Sequence, residues 1–545
     1  MIGRATAASL AVAAFLAAFG ALHFGFYARG VLMDTPVYER YGDAIVHGAS
    51  LPYRDFGVEY PPGALAVFAP PSLVAAKGDF TVYRQAFEWL MLVCGAAAAA
   101  IVGAVSRRAA PALFAGLAPL LLGPVVVSRF DLWPAMLAVA GLAAVVLGRP
   151  RLGSVLLGVA FAAKIYPGVL VPLAIAYVWR TRGRREAGVC AGLAATAALL
   201  LFLPFVVLSP HGVWSSLSGQ ASRPLQIESL GAALLLGAHQ AWGLPIEQVN
   251  SHGSDNLGGH TADALAAVHG AVAPLVVLAL WIAFARGEAT RERLFRYAAA
   301  TVCAFIVFGK VLSPQYLIWL IPLVPLVRSR AAWALFASAL LLTQLWFPHR
   351  YLELAYGFDP RASWLVLARD LVLVALLLVL VWPKRVVLAV VVAAALAAVG
   401  AAAAGVAAAG AQSHARVLDE NGVASTCAAR KDVPGTTAST VRYAVRGYEN
   451  ATSSPVCVTV TLRARGGRPL FSAAYLGGFD PADPGRAYLG DPGTCSNVAQ
   501  HPSPLLRYAF RVPAHSRYAV EVEHCTSARD APSYSIAVAT RPAAG

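Results

Sequence analysis

The sequence predicts a polytopic α-helical membrane protein of about 13 spans, followed by a small extracytoplasmic all-β sandwich. Three observations carry that prediction. Of 545 residues, 58% are hydrophobic and only 13% are charged, whereas soluble domains carry about 25% charged residues. Apolar runs that approach the length of a bilayer crossing recur throughout residues 1–410. Beyond them the composition changes to short alternating stretches separated by Gly, Pro and Asp turns.

The apolar runs lie near 6–27, 84–105, 110–127, 132–147, 153–163, 167–179, 187–208, 263–285, 296–309, 315–327, 331–347, 363–382 and 386–410. The first lacks the small-residue cleavage pattern of a signal peptide and is expected to persist as a span. The two runs around Lys164–Pro167 are short, and read either as two thin helices or as one re-entrant feature. Orientation follows from basic clusters at Arg107/Arg108, Arg149/Arg151, Arg180–Arg185, Arg286–Arg296, Arg328/Arg330 and Lys384/Arg385. Placing all of them in the cytoplasm puts the amino terminus inside and the external loops at 28–83 and 209–262 outside a plasma membrane. The formal charge of 43 − 28 = +15 is thereby explained by topology. Its basic residues form no single surface stripe, so no nucleic-acid partner is expected.

An odd number of spans exports residues 411–545. Cys427, Cys457, Cys495 and Cys525 all fall in that region, and an even set in one polar domain implies two disulfides in an oxidising compartment. Three connectivities are open. Cys94, Cys190 and Cys303 sit in apolar runs and read as small buried hydrophobes. Strands are expected over 441–448, 456–465, 471–476, 505–512, 518–524 and 534–540, with Glu521-x-Glu523 on a solvated strand face.

Polar residues concentrate on the predicted outer side. The first loop holds Asp34, Tyr53-Arg54-Asp55 and Glu59-Tyr60; distant segments add Arg129 and Asp131, Lys164 and Tyr166, Arg223, Gln226 and Glu228, Lys310, Gln315 and Tyr316, and His349. A charge at membrane depth costs at least about 2.5–3.5 kcal/mol on insertion scales unless paired or solvated. Each residue also has a plainer reading. A lone cation at a helix end snorkels to the interface, Asp34 alone is a helix-end acid, Arg129 and Asp131 pair structurally, and Glu59 holds Arg54. Convergence separates the two readings. Four isolated cations (Arg129, Lys164, Arg223, Lys310) share one side with the acids, beside prolines that break helices and open cavities. An anionic lipid headgroup fits such a face.

In order, the motifs are Asp34 after the first span, Pro52-Tyr53-Arg54-Asp55-Phe56, Glu59-Tyr60-Pro61-Pro62-Gly63, Arg129-x-Asp131, Lys164-x-Tyr166-Pro167, Arg223-Pro-Leu-Gln226-x-Glu228-Ser229 and Ser313-Pro314-Gln315-Tyr316. As a set they resemble bacterial glycosyltransferase family 87, polyprenol-phosphate-mannose-dependent α-mannosyltransferases of the glycosyltransferase C superfamily. The resemblance covers roughly 5–385 and leaves the β-domain aside. It implies an inverting transfer of a hexose, mannose first, from a polyprenyl-phosphate sugar to a glycolipid or glycan acceptor. Asp34 takes the position of the general base. Arg129, Lys164, Arg223 or Lys310 would stabilise the leaving phosphate, with the remaining polar residues binding substrate. A lipid monophosphate needs less neutralisation than a nucleotide diphosphate and the chain has no Asp-x-Asp pair, so no obligatory metal is expected. The competing readings are a transferase of another polyprenyl-phosphate sugar such as arabinose, or a flippase of lipid-linked sugars. A flippase should show paired repeats and midplane charges; no repeat is found in the sequence, and the charges are read as collecting on one face.

Overall fold

The computed structural model describes residues 2–25, 34–382, 413–418, 423–428, 435–450, 452–464, 469–479, 486–498, 503–525 and 534–542. The apolar run 386–410, the basic pair Lys384/Arg385 and the start of the first predicted loop (28–33) lie outside the described residues. The chain divides into two compact units, Met1–Ala404 and Gly405–Gly545.

The first unit is helical. Among the described residues, five helices are long and apolar enough to cross a membrane: Arg4–Phe24, Phe80–Ser106, Arg184–Leu208, His260–Arg286 and Pro360–Val381. Shorter apolar segments run over Ala109–Leu122, Leu132–Val146, Pro150–Ala163 and Pro314–Leu326. Helix Arg4–Phe24 packs against both Phe80–Ser106 and Ala109–Leu122. The approach is close enough that a Cβ on Gly103 would lie 2.3 Å from the Ala7 carbonyl oxygen, the small-residue contact that lets helix backbones meet in lipid.

Proline decides where helices stop. The run 315–327 forms 3-10 turns, Pro314–Leu320 and Val324–Leu326, rather than an α-helix, because Pro314, Pro322 and Pro325 remove backbone donors. At Lys164 the backbone turns extended. Helix Pro150–Ala163 ends there, a 3-10 turn covers Tyr166–Leu170, and helix Val171–Arg182 follows.

The two predicted external loops are largely structured. Residues 34–83 hold helices Thr35–Val46 and Leu65–Ser72; residues 209–262 hold Pro210–Ala221, Leu230–Trp242 and an antiparallel hairpin, Glu247–Ser251 with Ser254–Gly258. Leu225–Gln226 pairs with the second hairpin strand, making a three-stranded sheet. Helix Thr35–Val46 buries Tyr38, Tyr41 and Gly42 along one side, a stripe of helical period in a segment too polar to read as an apolar run.

In the second unit, one sheet orders Ser413–Leu418, Gly435–Asn450, Ser516–His524, Leu470–Leu476 and Tyr488–Gly490; the other orders Tyr534–Pro542, Val456–Ala464 and Leu505–Val512. Alternate residues Val456, Val458 and Val460 share a core with Tyr518, Val520 and Ala474 of the larger sheet. Disulfides join Cys427–Cys457 and Cys495–Cys525, selecting one of the three connectivities. The expected solvated face at Glu521 and Glu523 is not found: both are fully buried. Their neighbours across the ladder are Ala473 and Phe471, on the face that Tyr475, Tyr488 and the Cys495–Cys525 bridge cover. Burial holds the Glu521 carboxyl well above the usual range.

Candidate functional site

Asp34 precedes the first turn of helix Thr35–Val46, where its carbonyl accepts from Val37 and Tyr38. Its carboxylate is ion-paired with the Arg129 guanidinium, and the Tyr60 hydroxyl lies 3.4 Å away. Thr35 Oγ1 donates to the Ser128 carbonyl at 3.0 Å, which ties the Asp34 turn to the segment carrying Arg129. Tyr60 is packed among Tyr38, Phe68 and Phe130, and burial pushes its hydroxyl above the ordinary range, so it stays a neutral donor. Gly63 sets the approach behind it. A Cβ there would lie 2.7 Å from the Ala162 backbone, and the Gly63 carbonyl accepts from Trp133 Nε1 at 3.2 Å.

Arg129 follows the short helix Val125–Ser128 and is buried; burial lowers it to about 10. Lys164, exposed to the cavity by the helix break, reaches Asp131 at 2.5 Å. Trp319 Nε1 donates to the same carboxylate oxygen at 2.6 Å. The Lys164 ammonium lies 4.5 Å from the Phe130 ring centre and 5.3 Å from Trp319. Tyr166 and Tyr316 both stack on Trp319, at 4.0 and 4.2 Å. An aromatic stack thus holds the ammonium, with Asp131 as its fully buried counter-ion.

Arg223 donates to the His252 carbonyl at the hairpin tip, 3.0 Å, and Gln226 N donates to the Lys310 carbonyl at 2.9 Å. Gln226 Nε2 donates to Glu228 Oε2 at 2.8 Å; Arg369, fully buried in helix Pro360–Val381, donates to the Glu228 carbonyl at 2.7 Å. The Glu228 carboxyl is pushed up to about 8 by burial, opposed by Arg369 and Arg129 and reinforced by Asp370 and Asp255. Ser313 donates to Gln315 at 2.5 Å.

Many of these side chains line one cavity of about 1200 Å³, large for a small-molecule pocket. Its wall includes Asp34, Arg129, Lys164, Arg223 and Lys310, together with Glu59, Tyr60, Tyr166, Gln226, Glu228, Gln315, Tyr316 and His349. The structure does not bring every expected substrate-binding residue to that wall. Arg54 and Asp55 form an exposed pair at 2.9 Å, and Asp55 also accepts from Leu51 N, a local staple of the loop. Tyr53 is buried and donates to the Tyr60 carbonyl at 2.5 Å, so it braces the wall from outside. Asp131 stands behind Lys164 and does not reach the cavity.

The wall also carries residues that the sequence reading passed over: Arg40, Asn250, Ser254, Asp255, Trp319 and Tyr351. The hairpin had a signal. His252 and Gly253 both adopt positive φ, +54° and +66°, the geometry of a two-residue hairpin turn. His-Gly advertises it less than Asn-Gly. Arg369 and Asp370 were readable as adjacent charges inside an apolar run.

Residues 59–314 match the model of glycosyltransferase family 87, and residues 258–392 match a model described as mannosyltransferase (PIG-M). No curated protein matches the chain significantly. Among solved structures, the chain is similar to the Archaeoglobus fulgidus oligosaccharyltransferase in its apo form, at 13% identity and a TM-score of 0.34. That alignment covers 71% of this chain and 55% of the other, so it spans about half the length of that protein. Asp34 lies ahead of the matched family region, whereas Arg129, Lys164, Arg223, Gln226, Glu228 and Lys310 lie inside it. By these matches residues 59–314 are similar to glycosyltransferase family 87 and residues 258–392 to a mannosyltransferase, which supports a glycosyltransferase.

Proposed function

We propose that the protein transfers a hexose, mannose first, from a polyprenyl-phosphate sugar to a glycolipid or glycan acceptor on the outer face of the plasma membrane. The observation that carries this reading is one cavity in which Asp34 meets Arg129, Lys164, Arg223 and Lys310, cations from four separated stretches of chain. Asp34 takes the proton of the acceptor hydroxyl while that oxygen attacks the anomeric carbon. The bond from that carbon to the phosphate oxygen breaks, and the lipid phosphate leaves with the electron pair. A single displacement inverts the centre, so a β-linked donor gives an α-glycoside.

Charge grows on the leaving phosphate, and preorganised cations stabilise it there. Arg129 has two partners to choose between in this scheme. In the resting cavity it pairs with Asp34; an arriving phosphate competes for the guanidinium and releases the carboxylate toward the acceptor. Lys164 is held by Asp131 and the aromatic stack, which fixes its position before substrate arrives.

The reading includes about 13 spans, a cytoplasmic amino terminus and an extracytoplasmic β-sandwich, supported by the basic clusters and the two disulfides. Purified protein given radiolabelled polyprenyl-phosphate-mannose and a lipid acceptor extract should yield an α-linked mannolipid. Movement of the intact donor across vesicles with no glycoside formed would instead make the protein a flippase.

A further inference from the structure

The cavity has a second chemical character away from its cations. Gln226 pairs with Asn256 across the three-stranded sheet, and Ile227 N donates to the Asp255 carbonyl at 3.1 Å. The sheet therefore sets Asp255 beside Gln226 and Glu228 on the cavity wall. Gln226 and Glu228 are 4% and 1% exposed, and Gln226 Oε1 and Glu228 Oε1 have no hydrogen-bond partner among the described residues. Asp255 is 6% exposed. Its Oδ1 accepts from Gln248 Nε2 at 2.9 Å and Asn250 Nδ2 at 3.1 Å, and its Oδ2 accepts from Tyr351 Oη at 2.9 Å. A carboxylate offers about four acceptor directions, so three donors fix this one and leave capacity toward the cavity.

These buried groups keep unused capacity, acceptors at Asp255 and Gln226 and an O–H on the Glu228 carboxyl, which burial keeps protonated, and a ligand whose hydroxyls both donate and accept completes them. A phosphate brings acceptor oxygens and negative charge, and is repelled here toward the cations. A neutral sugar ring brings several hydroxyls. We propose that Asp255, with Glu228 and Gln226, forms a sugar-hydroxyl subsite, and that Asp255 is a specificity-determining residue of the transfer. The inference rests on the glycosyl-transfer reading above. Two sources offer the same hydroxyls, the hexose of the donor and the terminal sugar of the acceptor.

Three probes separate these cases: polyprenyl phosphate, polyprenyl-phosphate-mannose and methyl mannoside, each titrated against the full-length protein in detergent and its Asp255→Asn variant. Wild type should bind the mannosylated lipid at least about tenfold more tightly than the bare lipid phosphate, a difference of 1.4 kcal/mol. Asp255→Asn should lose most of that gain while binding the bare lipid phosphate within about twofold of wild type, which also reports an intact cavity. If the gain survives but methyl mannoside binding is lost, the subsite belongs to the acceptor sugar and the hydroxyl assignment stands. If Asp255→Asn keeps both the gain and methyl mannoside binding, the proposal is overturned. Failure of wild type to bind bare lipid phosphate would remove the donor class proposed above, while the methyl mannoside arm still decides on Asp255.

Discussion

Asp34 and Glu228 are two carboxyls on one cavity wall whose surroundings treat them differently. Asp34 is one-third exposed and ion-paired with Arg129. Glu228 is buried, and its pKa of about 8 stands well above the ordinary 4.5. Between those values the folded chain holds a proton that the unfolded chain has released, so this group's contribution to stability falls as pH rises through that window and levels off above it. Melting temperatures measured at pH 5, 6.5 and 8 should therefore decline less in Glu228→Gln than in wild type; parallel declines would contradict the assignment. Individual residues were legible in the sequence where charge was out of place. Arg129, Lys164, Arg223 and Lys310 stood out in an apolar chain and reach one cavity. Arg54 and Asp55 stood out equally and only staple a loop, because nearest-neighbour pairing cannot be told from convergence without the fold.

Helices were readable as apolar runs where lipid or packing demands a continuous apolar surface. The segments that complete the cavity were not, because Thr35–Val46 and the hairpin Glu247–Gly258 are polar pieces ordered by contacts with the rest of the unit. Thr35–Val46 is a helix because Tyr38 and Tyr41 pack into the core at helical spacing. The hairpin depends on its turn and on Arg223, which grips the His252 carbonyl. Gly253→Val places a β-branched residue at φ +66°, at a cost of roughly 1–2 kcal/mol. Since this turn carries Asn250 and Asp255, the KM for donor should rise about threefold or more with the protein still folded. Unchanged kinetics would show that the hairpin does not shape the occupied site.

At the scale of the whole molecule, the division between a helical unit and a β unit was legible from composition alone, because lipid and water select such different residues. Burial inside the β unit was not. Glu521 and Glu523 alternate as a solvated face would, yet cross-strand neighbours and a disulfide cover them. Peptide mapping of the unreduced full-length protein should recover Cys427–Cys457 and Cys495–Cys525; either other connectivity would contradict the fold of this unit. The proposed lipid-monophosphate donor, with four cations on the cavity wall, predicts transfer that persists in excess chelator. Loss of activity restored by Mg²⁺ or Mn²⁺ would refute that. The central claim is that Asp34 is the base, and Asp34→Asn tests it most directly. With polyprenyl-phosphate-mannose and a lipid acceptor, transfer should fall by about 10²–10⁴ while the donor still binds within a few-fold of wild type. Undiminished transfer by Asp34→Asn would contradict the account.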